Sequence, residues 1–146
     1  MYKNIGKISV VVLVLLAGAA AGIYFGRTPT IEAPIVTPLP STDLLSLSIA
    51  PGSVLTGSVT FTGSLKGGYF FEANARGALL DAAKNEMKAF PISATSDWMT
   101  AEPVTFKAVV DTSSVQKGAG YLRIANDNPS GDPVYDKYID IPVTFK

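Results

Sequence analysis

Ala78-Leu79-Leu80-Asp81-Ala82-Ala83-Lys84-Asn85-Glu86-Met87-Lys88-Ala89 is the stretch whose conformation decides the fold. Its helix propensity is good, and helical winding puts Leu79, Leu80, Ala83 and Met87 on one face. The same residues also read as a hairpin: a strand over 78–81, a turn through Ala83-Lys84-Asn85, and a second strand over 86–94. Asn85 can take the left-handed conformation such a turn needs. Propensity by itself favours the helix. The hairpin leaves the surrounding domain all strand.

Outward from this stretch the chain has a period of two. Leu45-Ser46-Leu47-Ser48-Ile49, Val59-Thr60-Phe61-Thr62, Thr105-Phe106-Lys107-Ala108-Val109 and Tyr121-Leu122-Arg123-Ile124 alternate between apolar and polar or small side chains. Tyr69-Phe70-Phe71-Glu72-Ala73-Asn74-Ala75 adds an aromatic run, and Tyr138-Ile139-Asp140-Ile141-Pro142-Val143-Thr144-Phe145 closes the chain. Between the runs stand Pro51-Gly52, Gly63, Gly67-Gly68, Gly118 and Asn128-Pro129-Ser130-Gly131. Short β-rich runs punctuated by turn residues, over about 100 residues, predict an all-β, antiparallel two-sheet sandwich over residues 44–146. Pro142 inside the last run predicts an edge position or a bulge, because proline has no N–H for a central ladder.

The first 43 residues have a different composition. Residues 8–25 contain no charged side chain, with Ser9 and Tyr24 the polar exceptions. As a helix they would cover roughly 27 Å, close to the ~30 Å hydrocarbon core of a bilayer. Lys3 and Lys7 precede the segment and Arg27 follows it. That bias favours a cytoplasmic N-terminus and an exported remainder. Residues 1–27 thus read as a retained single-pass anchor, or as a cleaved signal peptide leaving a secreted product. The cleavage reading has an apolar region over 8–16 and a small-residue site at Ala17-Gly18-Ala19 or Ala19-Ala20-Ala21. Apolar character resumes at Ile23-Tyr24-Phe25, where an interfacial aromatic belt falls, and this favours the anchor. A buried core helix is disfavoured, since apolar residues run all round it. Pro29, Pro34, Pro38 and Pro40 make residues 28–43 an extended, semi-rigid linker, read as a spacer rather than a Pro-motif ligand.

Composition removes much of the catalytic menu. The 146-residue chain has no Cys and no His, and 12 Lys+Arg balance 12 Asp+Glu. Ser-His-Asp and Cys-based nucleophiles, the usual zinc and haem sites, disulfides and a lipid-modified Cys are all excluded. Zero formal charge argues against a nucleic-acid surface. No cofactor, catalytic residue or metal ligand is assigned, and no enzymatic activity is expected.

Four features are candidate sites. Ser114-Val115-Gln116-Lys117 matches S-x-x-K but lacks the partner motifs of penicillin-recognising enzymes, so a tight turn is the simpler account. Asn126-Asp127-Asn128-Pro129-Ser130-Gly131 tracks a calcium loop only superficially: Asn stands at position 1 and Lys137 at position 12. Asp127, Asp132 and Asp136 could make an irregular cation site within 126–136, and a turn held by side chain-to-backbone bonds is the alternative. Paired carboxylates could hydrolyse a glycoside, but nothing in the sequence places two across a cleft. Trp98 is expected as a core plug between the sheets beside Phe61, Phe70, Phe106 and Phe145. Its rival role is a sugar-stacking platform, with Tyr69, Tyr121, Tyr135 and Tyr138 as an exposed aromatic patch.

Several of these runs, in their order, resemble one known family. Ile49-Ala50-Pro51-Gly52-Ser53-Val54, Val59-Thr60-Phe61-Thr62-Gly63, Phe70-Phe71-Glu72-Ala73 and Leu79-Leu80-Asp81 come first. Asp97-Trp98-Met99-Thr100, Phe106-Lys107-Ala108, Gly120-Tyr121-Leu122-Arg123-Ile124, Asn126-Asp127-Asn128-Pro129-Ser130-Gly131 and Ile141-Pro142-Val143-Thr144-Phe145 follow. Together they are similar to the immunoglobulin-like domain attached to bacterial spore-germination and related surface lipoproteins, the second germination-machinery-associated domain. The resemblance spans about 45–145 and implies an immunoglobulin-like, extracytoplasmic bacterial sandwich without catalytic activity. It also selects the hairpin over the helix at 78–89. Two departures stand out: Ala82-Ala83-Lys84-Asn85 replaces the family's turn glycine, and an apolar segment replaces the lipid-bearing Cys. The expectation is a membrane-tethered binding or structural module of the cell envelope, with an envelope protein or a glycan as partner. Its alternative is a carbohydrate-binding module using Trp98 and exposed tyrosines.

Overall fold

The computed structural model describes residues 39–146; the readings of the apolar segment and of most of the Pro-rich linker lie outside the described residues. The decisive stretch is a hairpin. β4 (Asn74–Asp81) and β5 (Glu86–Ala94) pair antiparallel, and an Asp81–Asn85 contact between them closes a three-residue loop, Ala82-Ala83-Lys84. Asp81 N–H donates to the Asn85 carbonyl and Lys84 N–H to the Asp81 carbonyl, each at 3.0 Å. The left-handed residue is Lys84, at φ 67°, and not Asn85. Three-residue hairpin loops place their left-handed residue at this position, where glycine is usual. Asn85 instead locks the loop from outside, donating its backbone and side-chain N–H groups to the Asp81 carboxylate, both at 2.9 Å. Helix propensity loses here because Leu79 finds core neighbours only in a strand: in β4 it pairs with Leu122 on the inner face.

Among the described residues the other strands are β1 (Leu44–Leu47), β2 (Val54–Leu55), β3 (Ser58–Leu65), β6 (Val104–Asp111), β7 (Gly118–Ala125) and β8 (Tyr138–Phe145), with a 3-10 turn at Pro133–Tyr135. All eight strands form one hydrogen-bonded sheet in the order β1-β3-β6-β5-β4-β7-β8-β2. The fully antiparallel expectation fails at one place, because β2 runs parallel to β8. The two edge strands, β1 and β2, are consecutive in the chain. The six residues between them cannot span more than roughly 24 Å, so the sheet must curl until its edges approach. Both edges are short, and β1 carries a bulge between Leu44 and Ser46, two devices that discourage edge-to-edge pairing.

Two prolines control the ladder. β5 meets β6 over only three pairs, Ile92 to Ala94. Ala94 N–H donates to the Ala73 carbonyl just ahead of β4 and Thr95 N–H to that of Thr105, so by alternation the nitrogen of Pro91 faces β6 and has no proton to give. There the two strands part, and Lys88 crosses the gap, its Nζ donating to the Asp111 carbonyl at 2.7 Å. Pro142 sits in β8, whose penultimate place in the sheet is covered by β2 only at Thr144 and Phe145. Its carbonyl accepts from Gly52 at 2.7 Å, so its nitrogen faces away from β7, as an edge position requires.

Alternation fills a single core. Phe61, Leu65, Leu79, Ile92, Val104, Phe106, Leu122, Ile124, Ile141 and Phe145 are all essentially inaccessible and belong to one cluster. Phe61 packs edge-to-face on Phe90 and Phe106, with centroids 6.0 and 6.3 Å away, geometry that suits the ring quadrupoles. Gly77 lies directly under the Phe90 ring, and Gly63 under Phe106; a Cβ at either position would collide with ring carbons. The only buried polar side chain among the described residues is Thr112, whose hydroxyl donates to the Gly57 carbonyl at 3.0 Å.

The packed body takes in residues ahead of β1. Leu39 packs against the core, and the Asp43 carboxylate receives Lys66 Nζ and Tyr69 Oη, each at 3.2 Å. Burial, and the neighbouring Asp43 charge, push the Tyr69 hydroxyl up to about 12. Among the described residues no helix is long and apolar enough to cross a membrane.

Candidate functional site

A network of charge pairs lies on the outward side of β4, β7 and β8. Register places Arg76, Ala125 and Tyr138 in one row across these strands, and Ala78, Arg123 and Asp140 in the next. Two alanines among long side chains leave a hollow. Ala78 and Ala125 line a depression of about 240 Å³ together with Arg76, Glu86, Arg123, Asp136, Lys137 and Tyr138. Ala78 is only 2 % exposed although its strand position faces outward.

Beneath the rim runs a charged network. Arg123 grips Asp140 with two hydrogen bonds, Nε at 2.6 Å and Nη2 at 2.8 Å. Lys84, delivered by the left-handed hairpin residue, reaches the same carboxylate at 2.9 Å and lies 5.0 Å from the Tyr121 ring centre. The Arg123 bonds, then those from Lys84, hold the Asp140 carboxyl below the usual carboxylate range despite partial burial. Asp140 in turn raises Arg123 and Lys84 above their ordinary values. The Arg123 guanidinium then lies 4.1 Å from the Tyr138 ring centre, a cation–π contact that fixes an aromatic side chain 59 % exposed to solvent. Across the hollow, Arg76 donates to Glu86 at 2.7 Å.

Of the candidates read from the sequence, Asp136 of the 126–136 loop and Tyr138 of the expected aromatic patch line the hollow. Trp98 is corrected: it stands in the 95–103 connection, half-buried, packing against the core from its rim rather than between inner faces. Phe61, Phe106 and Phe145 fill that inner volume, and beside the indole Asp97 accepts from the Met99 N–H at 3.1 Å. The tyrosines do not gather into one patch. Tyr69 is buried, Tyr121 half-buried, and Tyr135 and Tyr138 exposed. In the 126–136 loop the polar side chains serve the backbone. Asn126 accepts from Lys137 N–H at 2.7 Å and donates to the Tyr135 carbonyl at 3.0 Å, and Asp132 caps the 3-10 turn through Val134 N–H at 3.0 Å. Asn128 donates to both the Asp132 carbonyl and the Asp136 carboxylate, at 2.9 and 2.8 Å. Ser114 and Lys117 are exposed in the β6–β7 connection, with no helix starting at Ser114.

Sequence reading missed Arg76, Glu86, Arg123 and Lys137. The available signal was the outward phase of their strands, with Arg76 two residues before Ala78 and Arg123 two before Ala125. Compared with known proteins, the chain matches no family model, no curated protein and no solved structure.

Proposed function

We propose that this chain is a non-catalytic binding module of the bacterial cell envelope, immunoglobulin-like in fold and tethered to the membrane by residues 8–25, with its N-terminus in the cytoplasm. The observation that carries the binding role is the exposed Tyr138 ring set against the Arg123 guanidinium, itself held by Asp140, at the edge of a hollow. Fixing a side chain before the ligand arrives removes an ordering cost from binding. Support for the immunoglobulin-like reading comes from the curled sheet, the first strands divided between its two edges, and the order of runs described above. Export is supported by the charge-free segment after Lys3 and Lys7. A hydrolase would want two unengaged carboxylates facing across a cleft. Glu86 and Asp136 do line the hollow, but Glu86 is held by Arg76 and Asp136 by Asn128, which suits a hydrogen-bonding rim.

Protease treatment of intact spheroplasts tests the placement. The expected result is digestion of residues 39–146 while the membrane stays sealed; protection of that body would reverse the orientation. Mass spectrometry of the mature chain separates tether from signal: an N-terminus at Ala20 or Gly22 would replace the anchor with a secreted product.

A further inference from the structure

The most exposed apolar side chains stand at one end of the sheet. Register brings the 66–73, 95–103 and 126–137 connections out together there: Leu65 pairs with Leu44 and Val104, Asn74 with Ser93, and Ala125 with Arg76 and Tyr138. The connections also touch. Asp127 N–H donates to the Tyr69 carbonyl at 3.0 Å, and Gly67 lies so close to the Thr100 carbonyl that a Cβ there would collide. Met99, Val134, Tyr135 and Tyr138 all belong to this end and are 59 to 76 % exposed, the four highest values among the large apolar side chains described. None of them is part of the core cluster. One exposed apolar residue is ordinary on a protein surface, whereas several gathered at one end mark a place of contact. Methionine and tyrosine are moreover among the side chains enriched where proteins meet.

Charge selects the occupant. The chain as a whole is neutral, but these three connections carry Glu72, Asp97, Glu102, Asp127, Asp132 and Asp136 against only Lys66 and Lys137. Lys66 is already paired with Asp43, at 3.2 Å. Glu72, Glu102 and Asp127 form no ion pair with a described residue. Anionic lipid headgroups would meet this excess of carboxylates with repulsion. A second copy approaching through the same end would oppose like charge with like. A protein segment that sets lysine or arginine beside apolar side chains satisfies both features at once. We propose that this end of the sheet is a docking surface for a basic, apolar-bearing segment of another protein, with its apolar side chains on Met99, Val134 and Tyr135 and its cations on Glu72, Glu102 and Asp127. The surface goes beyond the hollow and makes no use of the space above Ala78 and Ala125.

The test uses the full-length protein in phosphatidylcholine nanodiscs on a surface-plasmon-resonance chip, with empty discs as the reference. The probe is the peptide Lys-Leu-Lys-Ser-Gly-Ser-Lys-Leu-Lys. It should bind, and should shift the emission of Trp98, the chain's one tryptophan and the neighbour of Met99. Replacing every Lys of the peptide by Glu, or both Leu by Ser, should weaken it at least tenfold. On the protein, Met99→Ser combined with Tyr135→Ser should weaken the parent peptide at least tenfold, and Glu102→Gln combined with Asp127→Asn at least fivefold. Val109→Ser, at an exposed apolar residue on the side of the sheet, and Ala125→Leu, which fills the hollow, should leave its affinity unchanged. Circular dichroism should be the same for all these variants. No binding of the parent peptide, equal binding of either altered peptide, or indifference to the Met99 and Tyr135 pair would overturn the docking surface. Quenching of Trp98 by brominated phosphatidylcholine in the discs would place the 95–103 tip in the bilayer and overturn it in favour of a lipid contact. Loss of binding on Ala125→Leu would return the site to the hollow.

Discussion

On the outward side of β3, Ser58, Thr60, Thr62 and Ser64 stand in a row; on the outward side of β7, Tyr121, Arg123 and Ala125 do. Both rows come from strands whose inward residues share one core. The hydroxyl face closes on itself. Ser46 bonds Ser64 at 3.0 Å, Thr95 bonds Thr105 at 2.9 Å, and Ser48 receives Thr62 N–H at 3.0 Å, so these neighbours bond one another across an open depression that holds no charge pair. The β4–β7–β8 face gathers side chains from four strands and two connections onto Asp140, Arg123 and the hollow above Ala78. Short hydroxyl side chains reach only the next strand. Long charged ones reach two, as Lys84 does in reaching Asp140 on β8.

The sharpest break in this comparison is expected on the inner side, which both faces share. Gly77→Val and Gly63→Val each drive a branched side chain into a phenylalanine ring, and each should cost about 3 kcal/mol in urea denaturation, at the upper end for overpacking. If one costs far less than the other, the two halves do not share a single rigid core.

On the charged face, Asp140→Asn removes the carboxylate that Arg123 and Lys84 share and should cost about 2 kcal/mol, the range for hydrogen bonds to charged groups. Its pH dependence has a definite sign. A depressed carboxyl contributes stability above its ordinary value, 3.8, and loses it as pH falls through the lowered one. The gap between wild type and Asp140→Asn should be flat from about pH 5 to 8 and close below about pH 4. A gap unchanged at pH 2 would mean that Asp140 acts by packing.

The hairpin residue sets two effects against each other. Lys84→Ala loses the Asp140 contact and keeps an unfavourable left-handed backbone, whereas Lys84→Gly loses the contact and relieves the backbone. The glycine variant should therefore melt above the alanine variant; the reverse order would contradict the positive φ. The smallest effect belongs to the hydroxyl face, where Thr62→Ala should change stability by no more than about 0.5 kcal/mol. A loss as large as that of Asp140→Asn would erase the distinction between the two faces.

Alternation in the sequence was enough to place most strands and to name Phe61, Phe70, Phe106 and Phe145 as core, because a period of two directs every second side chain to one side whatever the partners are. It was enough to send Pro142 to an edge, since a missing N–H is a property of the residue itself. Trp98 was misplaced because burial in a connection depends on where the loop tip falls, and size alone is silent on that. The parallel β2–β8 pair, the parting of β5 from β6 at Pro91 and the gathering around Tyr138 were decided by tertiary structure. Arg76, Glu86, Arg123 and Asp140 lie far apart in the chain, and only the register of four strands sets them over the same two alanines. Register is a long-range property, fixed by how the whole inner face packs, so local pattern states that these side chains point outward and the assembled sheet states which of them meet.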